Sequence, residues 1–239
     1  MKKILFVLVI FFSACTQSLN TSLDHNPYFS YHTIAVSSNT NLDFALILPE
    51  NLSTERMYPV VLALPPGNQT QSEVEWAIKK YWIEQSIMRN WIVISPIAPG
   101  GKYFHAGSEI YIPVLMDTIQ HLFNVEGDKF HVAGISNGGI SAFRIAIKYS
   151  ERVQSLTVFP GVPPGPADYA QLDHLLNIPV TMYVGALDDT TWINEMDSTA
   201  AILKELGVKV TFQIFPNEGH VINSLSSKML FDLLDSYSP

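Results

Sequence analysis

Phe130-His131-Val132-Ala133-Gly134-Ile135-Ser136-Asn137-Gly138-Gly139 joins two kinds of periodicity. The first five residues, Phe130 to Gly134, read as a strand. From Ile140 onward, Ile140, Phe143 and Ile147 recur at helical spacing. Ser136 is therefore expected on a sharp strand-to-helix turn, inside a Gly-x-Ser-x-Gly pattern. Gly134 and Gly138 lack Cβ atoms, which leaves room for a tight turn with Ser136 at unfavourable dihedrals. A simpler reading makes Ser136 only the cap of a glycine-rich helix entry.

The same alternation extends outward in both directions. Upstream, Thr33 to Val36 and Asp43 to Leu48 read as short strands about a Ser-Asn-Thr-Asn turn, and Pro59 to Leu64 and Trp91 to Ile94 as buried strands. Ser72 to Arg89 and Ile110 to Phe123 carry helical periodicity. Downstream, strands are predicted at Ser155 to Phe159, Pro179 to Val184 and Val208 to Phe215. Helices are predicted at Thr191 to Leu206, closed by Gly207, and at Val221 to Leu234. Strands alternating with crossover helices imply an α/β fold, a mostly parallel central sheet with helices on both faces. Only Gly161 to Asn177 separates two of these strands, too little chain for a cap domain.

A serine hydroxyl is a weak nucleophile and needs a base within hydrogen-bond reach. Of seven histidines, only His174 and His220 follow Ser136, and only His220 lies beyond a strand-end carboxylate. His220 closes Pro216-Asn217-Glu218-Gly219-His220, just after the last expected strand. His174 reads as a solvated side chain and His131 as facing outward on its strand. Gly185-Ala186-Leu187-Asp188-Asp189 supplies two adjacent acids, with Asp188 favoured as partner of His220 and Asp189 as a helix cap. The reverse assignment stays open. Negative charge developing on a substrate oxygen would need two backbone donors. Asn137, the residue after Ser136, is one. The other comes from Pro65-Pro66-Gly67-Asn68-Gln69; prolines donate nothing, so Gly67, Asn68 or Gln69 must serve, and Asn68 is favoured by alignment with the usual His-Gly-x turn. Tyr103, Phe104, His105 and Trp192 are expected near this rim, where loop packing explains them as well as a binding role does.

The 239-residue chain is 47% hydrophobic and 15% charged, enough for one α/β domain with a substantial core. Its formal charge of −8, with Lys and Arg scattered singly, offers no basic stripe for nucleic acid. Lys2 and Lys3, the apolar run Ile4 to Phe12 and Ser13-Ala14-Cys15 read as a secretory signal, residues 1–15. Phe12-Ser13-Ala14-Cys15 resembles a bacterial lipobox, with Phe12 where leucine is usual. It implies an exported chain anchored to a membrane by lipid on Cys15, the single cysteine. Residues 16–31 read as a flexible tether, and 32–239 as a single domain.

Taken together, these residues resemble the α/β-hydrolase superfamily, in particular the lidless esterases of the polyhydroxybutyrate-depolymerase and feruloyl-esterase-like group. The most similar stretch is Asp128 to Ala146; Phe44-Ala45-Leu46-Ile47-Leu48-Pro49-Glu50 and Tyr58-Pro59-Val60-Val61 also match. Pro66-Gly67 departs from the usual His-Gly. The resemblance implies a Ser136–Asp188–His220 triad cleaving esters without cofactor or metal, acting on short-chain or carbohydrate-linked acyl groups. A peptidase or amidase of the prolyl-oligopeptidase type and an inactive surface-anchored binding module are the alternatives. Mass spectrometry of the mature protein is expected to find a diacylglyceryl-modified Cys15 as its first residue; an unmodified N-terminus would overturn the anchor.

Overall fold

The computed structural model describes residues 26–226 and 228–238, so the signal segment, Cys15 and most of the expected tether lie outside the described residues. Among the described residues, eight strands form one sheet in the order β1-β2-β4-β3-β5-β6-β7-β8. They are β1 (Phe29–Ser37), β2 (Thr40–Ile47), β3 (Val60–Leu64), β4 (Ile92–Pro96), β5 (Phe130–Gly134), β6 (Val153–Val158), β7 (Val180–Gly185) and β8 (Val210–Phe215). β1 and β2 form a hairpin and β2 runs antiparallel to β4, while all pairs from β4 to β8 are parallel. β1 starts at Phe29, inside the stretch expected to be tether, because residues 29–32 pair with residues 44–47 of β2.

Among the described residues, six α-helices lie between strands and a seventh follows the last one: α1 (Gln71–Ala77), α2 (Ile83–Arg89), α3 (Ile112–Leu122), α4 (Asn137–Lys148), α5 (Pro166–Tyr169), α6 (Thr190–Glu205) and α7 (Lys228–Asp235). A π-helical turn, Ile78–Trp82, joins α1 to α2 and buries both Tyr81 and Trp82. The long helix expected over 72–89 therefore exists with a bulge in its middle. The helix expected over Val221 to Leu234 is shorter: a 3₁₀ turn, Asn223–Ser226, precedes α7. Glu218 explains this, since its carboxylate accepts the N–H groups of Asn223 and Ser224 and captures the chain there. Among the described residues, no helix is long and apolar enough to cross a membrane.

Strand alternation distributes the core to two layers. Val60, Leu62, Leu64, Phe130 and Val132 pack toward α3, α4 and α6; Val61, Ala63 and Ala133 face α1 and α7. Every residue of β3 and β5 is buried, as central strands covered on both faces require. His131 is therefore not outward-facing, because β5 has no outward face. Its Nδ1 lies 2.8 Å from Ser155 Oγ and its ring 4.8 Å from that of Trp91. Between β6 and β7, α5 and a 3₁₀ turn at Leu172–Leu175 are the only helical segments, so no cap covers the carboxyl edge of the sheet there.

Burial pushes the His131 imidazole down to about 3, from an ordinary 6.5. The unfolded chain thus binds a proton at this group that the folded chain refuses. Stability is complete above 6.5 and falls as pH drops toward the folded value, by up to about 1.4 kcal/mol per pH unit. Denaturant midpoints measured against pH are expected to show a shallower acid slope for His131→Gln than for the parent chain.

Candidate active site

Every side chain of interest sits at the carboxyl edge of the parallel strands, where ligands of α/β sheets bind. Ser136 follows β5 and holds φ +56° and ψ −120°, a conformation strained for a residue with a Cβ. Packing leaves it no alternative. A Cβ on Gly134 would lie 2.1 Å from the carbonyl oxygen of Gly138, and one on Gly138 would lie 2.2 Å from that of Leu64. The Ser136 N–H donates to Pro160 O at 2.8 Å, tying the bend to the chain leaving β6.

Asp188 follows β7 and His220 follows β8, and the two loops must touch to join them. They do so at Gly185, where a Cβ would lie 2.1 Å from Glu218 O. The Leu187 N–H donates to that same Glu218 oxygen at 2.9 Å. The Glu218 carboxylate accepts from the backbone and side chains of Asn223 and Ser224. Those donors hold it at about 2, well below the usual carboxylate range. It therefore stays charged across neutral and mildly acidic pH and braces the His220 loop from behind.

The result is a continuous relay. His220 Nε2 lies 2.9 Å from Ser136 Oγ, and His220 Nδ1 lies 3.0 Å from both carboxylate oxygens of Asp188. Asp188 is 4% exposed and His220 41%, so the acid is shielded while the base meets solvent. Asp189 turns away and accepts the Thr191 N–H at 2.8 Å, capping α6. The backbone donors of Thr191 lower the Asp189 carboxyl. His174, on the 3₁₀ turn 172–175, is solvent-exposed apart from a contact to Ile147 O.

The two expected backbone donors differ. Asn137 is the first residue of α4, and its N–H has no protein acceptor among the described residues, as at any free helix start. The N–H of Asn68 is taken: it donates to Glu73 Oε1 at 3.2 Å, and Gln69 N–H donates to Pro66 O at 3.0 Å. Of the three candidates only Gly67, at φ +58°, keeps an N–H without a protein acceptor among the described residues. Asn137 Nδ2 donates to Gly67 O at 2.8 Å and pins that peptide beside the bend. Glu73, three residues after Thr70, reaches back to the Thr70 N–H as a helix-start carboxylate should. That pattern was present in the sequence, whereas the bond from Asn68 to the other oxygen of Glu73 lies outside it.

Gln69 was weighed in the sequence only for its N–H, and the role of its side chain was missed. It is fully buried, and its amide bonds Ser141 Oγ at 2.9 Å, Pro65 O at 3.3 Å and Asn137 O at 3.4 Å, while accepting Phe104 N–H at 3.0 Å. It thereby links the β3 loop, the bend and the β4 loop. His105 Nδ1 lies 3.0 Å from the same Ser141 hydroxyl, and its ring stacks on Tyr103, whose OH donates to Asn68 Oδ1. Phe104 is wholly buried and belongs to the core. Trp192 packs its ring 5.6 Å from that of His220. Among the described residues, no group of three or more His, Cys, Asp or Glu is placed to hold a metal ion.

No protein-family model and no curated protein matches the chain. Solved structures do. A thermostable esterase superposes with TM-score 0.70 at 15% identity, covering 89% of this chain and 64% of that one. A putative dipeptidyl aminopeptidase IV from Bacteroides ovatus gives 0.67 at 14%, covering 87% and 35%. A ferulic acid esterase gives 0.64 at 16%, covering 88% and 97%. The chain thus spans under two-thirds of the first of these structures and about a third of the second, but nearly all of the ferulic acid esterase. With the strand order, the bend at Ser136 and these superpositions together, the chain has the α/β-hydrolase fold.

Proposed function

We propose that this chain is a serine hydrolase that cleaves carboxylic esters through an acyl-enzyme on Ser136. The observation that carries this is the unbroken relay from Ser136 Oγ through His220 to the shielded Asp188. Ser136 Oγ attacks the ester carbonyl carbon while His220 Nε2 takes the hydroxyl proton. Asp188 keeps the Nδ1 proton in place and stabilises the imidazolium. The tetrahedral oxyanion accepts the N–H groups of Asn137 and Gly67, the two of the expected donors that have no protein acceptor among the described residues. Collapse expels the alcohol, which receives the proton from His220. Water, giving a proton to His220 Nε2, then attacks the acyl carbonyl carbon; the C–O bond to Ser136 breaks, the carboxylic acid leaves, and His220 returns the proton to Ser136 Oγ.

Substrate class follows from the uncovered rim. Leu187 is 73% exposed beside Asp188, and only short segments stand over the carboxyl edge. A long acyl chain would remain in water there, which favours short acyl groups or esters borne on a larger carrier. The esterases among the structural neighbours support the ester reading. The same relay would serve an amide bond, and p-nitrophenyl esters set against peptide anilides separate the two. The basic and apolar N-terminal residues ending at Cys15 support export and lipid anchoring at a bacterial membrane.

A fluorophosphonate probe is expected to label the full-length protein at Ser136. Ser136→Ala should abolish labelling and lower kcat on p-nitrophenyl acetate by roughly 10⁴-fold or more; intact labelling of that variant would sink the mechanism. Gly185→Ala forces a methyl group against Glu218 O and is expected to destabilise the chain by about 1–3 kcal/mol while reducing kcat. Gly165→Ala, whose Cβ would meet nothing within 4 Å, should change stability by less than about 0.5 kcal/mol. Denaturant midpoints and steady-state rates of the two variants check the contrast.

A further inference from the structure

β8 closes one edge of the sheet, and half of its backbone is unused. Val180 N–H donates to Lys209 O and Ala186 N–H to Phe215 O, both at 2.9 Å. A parallel ladder bonds alternate residues, so Lys209, Thr211, Gln213 and Phe215 turn their backbone groups to β7. The N–H and C=O groups of Val210, Phe212 and Ile214 therefore point outward, and among the described residues no strand pairs with them. The opposite edge is blunted, because β1 breaks its register between Ala35 and Ser37. β8 has no such shift, no proline and no charged residue from Val210 to Phe215, and Ile214 is 42% exposed on it. A regular, uncharged edge of this kind templates another strand.

The outward groups are self-complementary. In an antiparallel pair about a two-fold axis at Phe212, that residue exchanges both hydrogen bonds with Phe212 of the second copy. Val210 does the same with the second copy's Ile214, and Ile214 with the second copy's Val210. Every outward N–H and C=O on both strands is then satisfied. Val210 and Phe212 pack on the α6 face of the sheet, and alternation puts Ile214 there too. An aromatic pair and two pairs of β-branched residues meet on that face, while the exposed Thr211 meets the second copy's Gln213 on the other.

Charge favours a second copy at this edge. The chain carries 22 acids against 14 bases, so two copies repel across most of their surfaces. Here the charges are ordered instead. Thr199, whose hydroxyl lies 2.8 Å from that of Tyr169, marks the flank of α6 turned to α5. Ile193, Asp197, Ala201 and Lys204 fall on the flank toward β8 at helical spacing, and Glu205 on the solvent side. Lys204 and Lys209 thus stand where β8 begins, and Asp197 and Asp189 toward the end where it stops. An antiparallel copy sets each basic end against an acidic one. Because α6 lies over β7 and β8, the two copies of α6 would run about 10 Å apart, a packing distance for helices.

We infer that β8 is the contact through which two copies of this chain form a two-fold dimer, joining their sheets into one. The paired strands run oppositely, so the two catalytic rims open at opposite ends of the joint sheet and each keeps its own approach. The dimer does not depend on the ester reading. Sedimentation equilibrium of the full-length protein in density-matched non-ionic detergent, over a concentration series, is expected to show monomer and dimer in exchange. Ile214→Lys sets a charge against Val210 of the second copy and should raise the dimer Kd by about tenfold or more. Thr211→Glu combined with Gln213→Glu places like charges opposite each other and should do the same. Thr211→Lys combined with Gln213→Glu places unlike charges there and should leave Kd within about threefold of the parent. These side chains are exposed, and circular dichroism checks that each variant is folded. A monomer at every concentration, a dimer indifferent to Ile214→Lys, or equal Kd values for the two double variants would overturn the contact.

Discussion

Ser136 occupies a backbone conformation that costs on the order of 1–3 kcal/mol, and the surrounding chain is built to hold it there. Three strand ends interlock around it without side chains between them. The end of β3 lays the Leu64 and Pro65 carbonyls against Gly138, the chain after β6 lays Pro160 O against Gly139, and Gly134 meets Gly138 across the bend. Each approach is closer than a Cβ permits. The hydroxyl is therefore aimed by backbone packing, which is stiffer than any rotamer preference. Strain of this kind persists only where the neighbours over-determine it, and here β3, β5 and β6 do so together.

The other half of the relay depends on a second close approach. β7 and β8 are parallel neighbours, so their carboxyl ends deliver Asp188 and His220 to the same rim. Glycine at 185 then lets the His220 loop settle onto the Asp188 loop. Glu218 completes the brace from within the His220 loop. A different brace steadies the other side of Ser136 on the same rim. Arg144 on α4 bonds Asp168 at 2.9 Å, and Lys148 bonds Glu109 at 3.2 Å, with both carboxylates nearly buried. These pairs join α4 to the loops after β4 and β6. Removing one partner would strand a buried charge, so the loops flanking Ser136 resist drifting apart.

Most of the architecture was legible because its signals are local. Buried parallel strands read as continuous apolar runs, and β5 was located to the residue from Phe130–Gly134. Misjudged elements share a cause in contacts distant along the chain. β1 begins early because it pairs with β2, and His131 is inward because Trp91 and Ser155 close over it. Asn68 illustrates the finer limit. Turn alignment counts residues, whereas the availability of an N–H depends on whether a carboxylate five residues later folds back, and Glu73 does.

By itself the sequence determined the alternation of strand and helix, the strand-to-helix bend at Ser136, and the chain order in which a serine, an acid and a histidine arrive at strand ends. Those features are written in periodicity and in small residues beside a turn, within reach of one another along the backbone. Only the tertiary structure decided which carboxylate faces His220, which backbone donors stay unpaired and how Gln69 joins three loops. Apart from the turn of Glu73 onto Asn68, five residues away, each of these is a distance between segments tens of residues apart, set by the order and twist of the strands.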